Sequence, residues 1–268
     1  MNNFGEKVSF IWSIADLIRD TFKRGKYQDV ILPLTVLRRL DCVLEPTKVQ
    51  VLETYNQYKN KLENLDPVIC KKSGFAFYNT SKYDFENLLG DSANLAANLK
   101  LYINSFSSNM REVLEKFDFP NTINKLDQAN LLFLVVEKFK NIDLHPDKVS
   151  NLELGYIFEE LIRKFNEALD ENPGEHFTPR EVIHLMVSLL LSQDKEVISQ
   201  DYITRTVYDP CCGSGGMLTI AKDRIRELNP NATAFLFGQE VNPETFAVCK
   251  SDLYMKSLDG RDAESYND

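Results

Sequence analysis

The sequence predicts two successive regions of different class: an α-helical N-terminal domain over residues 1–165 and the beginning of an α/β domain over 166–268. Three observations carry this. Apolar residues recur at helical spacing through nearly all of the first 170 residues. The turn-rich stretch Asp170–Gly174 then breaks that pattern. Beyond it, two β-branched and aromatic runs, Thr204–Tyr208 and Ala234–Gly238, flank a glycine-rich turn and a helix, the pattern of a βαβ unit.

In chain order, Val8, Ile11, Trp12, Ala15, Ile18 and Phe22 mark a first helix, with Gly25 as its stop. Asp29 is placed to cap a second helix carrying Ile31, Leu34, Leu37 and Leu40, with Pro33 in or near the first turn, where proline is best tolerated. A third helix is expected over Lys48–Leu65, ending before Asp66–Pro67. Ser73–Tyr83 mixes Gly, Asn and Ser with Phe75, Phe77 and Tyr78, whose alternation suggests a short hairpin or ordered loop. Helices are expected again near Asp84–Leu89, Leu95–Phe106, Met110–Phe117 and Gln128–Asn141. Ser150 and Glu153 form a capping box ahead of a helix reaching Phe165. After the breaker come an amphipathic run with Val182, Ile183, Met186, Leu189 and Leu190, then the strand–helix–strand unit with its helix at Met217–Leu228.

Composition excludes several classes. With 43% hydrophobic and 26% charged residues, the chain is neither fibrous nor wholly disordered. Its longest apolar run, within Asn130–Val136, is far shorter than the roughly 18–20 residues of a membrane span. MNNFGEKVSF lacks the features of a secretory signal. Five cysteines without a C-x-x-C pair fit free thiols in a reducing compartment, so a cytoplasmic location is expected. A net charge of −9 argues against indiscriminate coating of polyanions. Residues 1–40 nonetheless hold seven cations against four anions, read as a solvated helix pair or a patch facing phosphate or a partner. Three histidines and the cysteine spacing offer no metal site, and Trp12 reads as core.

Two stretches carry chemistry. Asp209–Gly216, D-P-C-C-G-S-G-G, joins a strand to a helix. Its glycines allow a sharp turn and close approach of a ligand, and the helix N-terminus supplies open amides. The spacing matches neither G-x-G-x-x-G nor G-x-x-x-x-G-K-[ST], which disfavours a nicotinamide-dependent oxidoreductase and an ATP loop. Glu240 ends the second strand, where a carboxylate can accept from both hydroxyls of a ribose. Asp209 is the candidate acid beside a ligand's ammonium or sulfonium. In the second stretch, Gly174–Glu181, Thr178 and Glu181 form a capping box with Pro179 at the first helical position. The cap leaves Glu175, His176 and Phe177 unexplained, and the Phe177 ring suits an adenine face.

EHFTPREVIHLM, DPCCGSGGML and GQEVNPETFAVCKSDLYM, in that order, resemble the N6-adenine DNA methyltransferases, specifically the modification (M) subunits of type I restriction–modification systems. IWSIADLIRDTFKRGKYQDVILPLTVLRRLDCVLE resembles their helical N-terminal domain. The resemblance implies a Rossmann-like S-adenosylmethionine-dependent methyltransferase domain. It implies a cofactor site for S-adenosyl-L-methionine made by Glu175, His176, Phe177, Thr178, Pro179 and Arg180 with Asp209, Gly213, Ser214, Gly215, Gly216 and Glu240. The implied partners are DNA, a specificity (S) subunit, a restriction (R) subunit and a second M subunit.

One departure limits the expectation. The family's N-P-P-[FY] tetrapeptide, which accepts from the amino group of a flipped adenine, is absent: no proline in the chain is followed by the required pattern. Only 63 residues run from Thr206 to Asp268, enough for two strands where a doubly wound sheet has about five to seven. The chain therefore reads as truncated, with cofactor-binding motifs and no catalytic residues. The alternative reading is a non-catalytic assembly module that docks a specificity subunit or DNA.

Overall fold

The computed structural model describes residues 2–23, 26–145, 148–149 and 178–256. Two compact units divide the chain, residues 1–175 and 176–268. The expected boundary at 165/166 and the expected helix from Ser150 to Phe165 lie outside the described residues.

The described part of the first unit is helical: α1 (Asn2–Ile18), α2 (Gln28–Leu44), α3 (Lys48–Tyr58), α4 (Asp66–Ser73), α5 (Phe85–Leu89), α6 (Leu95–Asn104), α7 (Ser108–Glu115), α8 (Phe119–Gln128) and α9 (Leu132–Lys140). Helix α2 lies at its centre. Val30, Ile31, Leu34, Leu37 and Leu40 are buried, and so are Val36 and Val43, so apolar contact surrounds the helix rather than lining one stripe. Helix α1 contributes Ile14, Ala15 and Ile18 to the core, and Phe10 meets Phe139 of α9 edge-on at 5.4 Å. Trp12 lies on α1, half-buried.

Several expectations need correction. Asp29 does not cap α2. The helix starts at Gln28 behind Tyr27, and Asp29 instead pairs with Lys26 at 2.9 Å, meeting the open amides of the first turn as a charge. Pro33 lies inside the helix rather than in its first turn. Helix α3 ends at Tyr58, because the polar residues after it have little apolar surface to bury, and Asp66–Pro67 starts α4. Helix α8 was not expected. Its Pro120 sits near the start, Thr122, Ile123 and Leu126 are buried, and Asn130 closes it at φ 58°, with Leu131 N–H donating to Leu126 O at 2.8 Å. Ser73–Tyr83 is an ordered loop. Asn79 and Phe106 form an antiparallel bridge, and the Ser73 hydroxyl donates to Phe77 O at 2.8 Å.

The early cations are not simply a solvated patch. Arg39 is fully buried and donates to Leu144 O and Val149 O at 2.8 and 2.9 Å. Arg38 donates from Nη1 to Asp41 Oδ2 at 2.6 Å and from Nε and Nη2 to Ile142 O and Lys140 O, both at 3.1 Å. Carbonyls at the end of α9 and after it draw these guanidinium groups inward.

Asp41 is the centre of that polar core. Its carboxylate also accepts from the Tyr102 hydroxyl at 2.8 Å and from the Phe85 N–H at 3.4 Å. Beside it lies a cavity of about 90 Å³, lined in part by Lys48, Asp84 and Lys140. Lys48 donates to Tyr83 O and stands 3.4 Å from Asp84. Burial pushes the Asp41 carboxyl above its ordinary value, against the pull of the Tyr102 hydrogen bond and the Arg38 charge. Burial also raises Tyr102, helped by the Asp41 charge, so the phenol keeps the proton it donates.

The second unit holds α10 (Arg180–Ser192), α11 (Lys195–Ile198), β1 (Thr204–Asp209), α12 (Gly216–Leu228), β2 (Thr233–Gly238) and α13 (Pro243–Lys256). The strands pair in parallel, in register from Thr204↔Thr233 to Asp209↔Gly238. On one face, Ile183 and Val187 of α10 pack with Ile220 and Ala221 of α12 and with Val207. Ile198, Ile225, Ala232 and Ala234 extend the core toward the far end of the strands. Asn229 closes the helix-to-strand turn, donating to Ile198 O and Gln200 O at 2.8 Å. The other face carries Tyr208, Phe235 and Phe237, all exposed.

The expected apolar face of α10 is only partly the buried one. Ile183 is buried and Val187 joins it, whereas Val182, Met186, Leu189 and Leu190 are exposed. A helix apolar on nearly all sides does not specify by spacing which stripe meets a neighbour.

Replacing Tyr102 with Phe should lower unfolding stability by about 1–3 kcal/mol by removing a donor to a buried carboxylate. Asp41→Ala, which strips a buried guanidinium of its anion, should cost about 3 kcal/mol or more. Urea midpoints equal to wild type in both variants would exclude this polar core as a stabilising centre. A carboxyl raised in the fold holds its proton more tightly folded than unfolded. The Asp41 contribution is therefore fully present at acid pH and is lost as pH rises through the folded value, and Asp41→Asn should flatten that part of the stability profile.

Candidate functional site

The site is built at the C-terminal ends of the two parallel strands, where open α/β sheets gather their ligand-binding loops. Strand β1 ends at Asp209, whose Oδ1 accepts from the Cys211 N–H at 3.0 Å and starts the turn. Gly213 and Gly215 adopt φ 55° and 82°, which side chains with a Cβ rarely adopt. Gly215 precedes the first residue of α12, and its N–H donates to Cys212 O at 2.8 Å. The Thr219 hydroxyl donates back to Gly215 O at 3.0 Å, fixing the first turn of the helix.

The end of β2 stitches this turn in place. Gln239 N–H donates to Asp209 O at 3.0 Å, and Gln239 O accepts from Cys212 N–H at 2.9 Å and from the Cys212 thiol at 3.1 Å. Glu240 then turns its carboxylate toward the glycines: Oε2 accepts from Gly213 N–H at 3.0 Å, and Oε1 accepts from Asn242 N–H at 2.7 Å. Asn242 Oδ1 accepts from Glu244 N–H and Thr245 N–H, both at 3.0 Å, and so caps α13. The fold thus brings Asp209, Gly213, Ser214, Gly215, Gly216 and Glu240 together. Among the described residues, a Cβ built on Gly213 meets nothing within 4 Å, so this side of the turn is open to a ligand.

The second stretch is placed less completely. Glu175, His176 and Phe177 lie outside the described residues. Thr178 and Pro179 are exposed, and Arg180 is the first residue of α10. The expected capping box is out of register by one. Pro179, with ψ 138°, itself takes the N-cap position and offers no side-chain cap. Its extended ψ carries Thr178 one residue beyond reach, and Pro179 O instead accepts from Ile183 N–H at 3.0 Å. What joins the two stretches is Ile183. Its Cδ1 would lie 2.9 Å from a Cβ on Gly216, so α10 rests directly on the first residue of α12.

Asn242 and Gln239 were not expected to take part. Asn242 was legible: Asn followed by Pro243 and Glu244 has the form of a helix start. Gln239 acts through its backbone and leaves no side-chain signal. Among the described residues, no group of three His, Cys, Asp or Glu could hold a metal ion.

Comparison with known proteins places both units. The family model described as HsdM N-terminal domain matches residues 7–139, and that described as N-6 DNA Methylase matches residues 150–268. The chain belongs to the family of type I restriction–modification methyltransferase subunits. It is similar to the type I restriction enzyme MjaIX methylase subunit of Methanocaldococcus jannaschii, 22% identical over 276 residues that cover 96% of this chain and 47% of that protein. It is also similar to the type I restriction enzyme EcoEI methylase subunit of Escherichia coli, 28% identical over 158 residues, covering 56% of this chain and 30% of that protein. A crystal structure of the type I restriction-modification system methyltransferase subunit from Streptococcus thermophilus shares the fold, with TM-score 0.63 and 19% identity, covering 98% of this chain and 58% of that one. The chain spans about half the length of the M. jannaschii relative. A helical N-terminal region thus precedes a Rossmann-like methyltransferase domain with a small parallel sheet.

The two glycines make different demands in this methyltransferase fold. Gly213→Ala adds no clash but must hold a left-handed φ, so it should cost about 1–2 kcal/mol. Gly216→Ala presses on Ile183 Cδ1, and Ile183→Val removes that atom. The Gly216→Ala/Ile183→Val double variant should therefore unfold at a higher temperature than the sum of the two single changes implies. Strict additivity would show that Ile183 does not rest on Gly216.

Proposed function

We propose that this chain is the cofactor-binding portion of an S-adenosylmethionine-dependent subunit that methylates adenine N6 in DNA. The observation that carries the reading is the constellation at the strand ends: a glycine turn with open space beside Gly213 and a strand-end carboxylate, Glu240, beside it. The C-terminal edge of a parallel strand pair suits a nucleoside, and the spacing D-P-C-C-G-S-G-G suits one without a pyrophosphate. Glu240 takes the ribose hydroxyls, the turn from Gly213 to Gly216 lies along the cofactor, and Asp209 lies near its ammonium. Glu175, His176, Phe177, Thr178, Pro179 and Arg180 complete the site from the start of α10. When bound, S-adenosylmethionine supplies a methyl group activated by its sulfonium. The protein's part is to hold the nucleoside in one orientation.

On the same reading its partners are DNA, a specificity subunit, a restriction subunit and a second methyltransferase subunit; the likeness to type I methylase subunits supports the first two. The 1–268 chain contains no N-P-P-[FY] tetrapeptide. By this reading it binds the cofactor but does not itself transfer the methyl group. No helix among the described residues is long and apolar enough to cross a membrane.

A second reading, an assembly module without catalysis, is favoured by one observation. Leu185, Leu189 and Leu190 of α10 are 60–73% exposed, which suits contact with another polypeptide more than with water.

Calorimetric titration separates the readings. The chain should bind S-adenosylmethionine and not NAD, and Glu240→Ala should weaken binding by about 1.5–3 kcal/mol, roughly 10- to 100-fold. Equal affinity in wild type and variant would remove Glu240 from the site, and NAD binding alone would replace the proposal. Tritium transfer from labelled cofactor to DNA adenine by the 1–268 chain would overturn the reading that it does not itself transfer the methyl group.

A further inference from the structure

We infer that Glu240 is a positioning residue as well as a ligand contact: its carboxylate fastens the glycine turn after β1 to the start of α13 before any ligand arrives. The inference rests on the proposed function only for the identity of the ligand.

The geometry is a bridge of two charge-assisted hydrogen bonds. Glu240 Oε2 accepts from Gly213 N–H at 3.0 Å and Oε1 from Asn242 N–H at 2.7 Å. Each end is anchored further. Cys212, just before Gly213, donates to Gln239 O at 2.9 Å. Asn242 in turn accepts from two amides of the first turn of α13. Between Cys212 and Gly215, Gly213 is the residue with the most conformational freedom. It has no Cβ, φ 55° and, among the described residues, no neighbour within 4 Å on its Cβ side. The Glu240 carboxylate is what holds its amide in one direction.

The bridge leaves room for a ligand on the same group. Each carboxylate oxygen has two lone pairs, so an oxygen that accepts one backbone N–H can still accept a hydroxyl. Vicinal hydroxyls of a ribose therefore add to the bridge rather than displace it. A turn already fixed in shape spares the ordering cost that a loose loop would impose on binding. The turn after β1 and the loop after β2 move as one piece, and affinity for a nucleoside depends on that piece being intact.

Amide hydrogen exchange of the ligand-free 1–268 chain, followed by mass spectrometry, tests this with two variants. Glu240→Ala should speed exchange about tenfold or more in peptides spanning 211–215 and 241–245, while residues 218–228 of α12 stay as protected as in wild type. Glu240→Gln keeps one acceptor oxygen and should restore part of the protection. Affinity for S-adenosylmethionine should fall in the order wild type, Glu240→Gln, Glu240→Ala. A role limited to touching ribose would weaken binding and leave exchange of the ligand-free turn unchanged, and that result overturns the inference. Faster exchange spread evenly through α12 also overturns it, because Glu240 then only stabilises the unit. If the wild-type chain binds no S-adenosylmethionine yet the turn loosens selectively, the proposed cofactor fails and the bridge stands.

Discussion

Parallel pairing of β1 with β2 is the constraint from which the site follows. Register from Thr204↔Thr233 to Asp209↔Gly238 brings both strand ends to the same level. The residues just beyond them, the turn after Asp209 and the pair Gln239–Glu240, then have to meet. Backbone bonds between Gln239 and the turn complete the ladder past its formal end. Only then does Glu240 reach Gly213. A one-residue slip would reverse the faces of every side chain in the strand and point that carboxylate away. The buried face, with Val207, Ala234 and Leu236 under α10 and α12, resists such a slip because it would expose the core.

The helical unit solves a different problem, that of charge inside a core. Helix α2 is surrounded by apolar contacts yet carries Arg38, Arg39 and Asp41 within about one turn. Each is met by fixed acceptors or donors: carbonyls near the end of α9 and after it for the arginines, Tyr102 and Phe85 for the carboxylate. Such groups contribute little net stability compared with apolar residues of similar size, but they tolerate only one arrangement of partners. In this unit they tie α2 to residues more than a hundred positions away, as in the Arg39 to Leu144 bond.

How much was legible in the sequence depended on how local the deciding physics was. Both strands, the glycine turn and α12 were placed within a residue or so, because β-branched runs and glycines constrain the backbone by themselves. The place of Glu240 just past a strand end was legible because it is a matter of spacing. Helix α8 was missed: its polar, proline-containing start looks like a loop, and its burial comes from partners distant in sequence. The buried stripe of α10 was half wrong for the same reason, since Gly216 decides it from across the unit. The Thr178 cap failed on a single torsion, the extended ψ of Pro179. Arg38 and Arg39 read as surface charge because nothing in their neighbourhood of sequence announces carbonyl acceptors so far along the chain.

The placement of Trp12 has an optical consequence. It is the one tryptophan of the chain and belongs to α1, in the helical unit. Intrinsic indole emission therefore watches that unit, while the methyltransferase unit has only tyrosine and phenylalanine chromophores. A fluorescence melt excited at the red edge would follow the helices alone. The strand-end turn would have to be followed by another spectroscopic signal, such as a probe on the exposed thiol of Cys211.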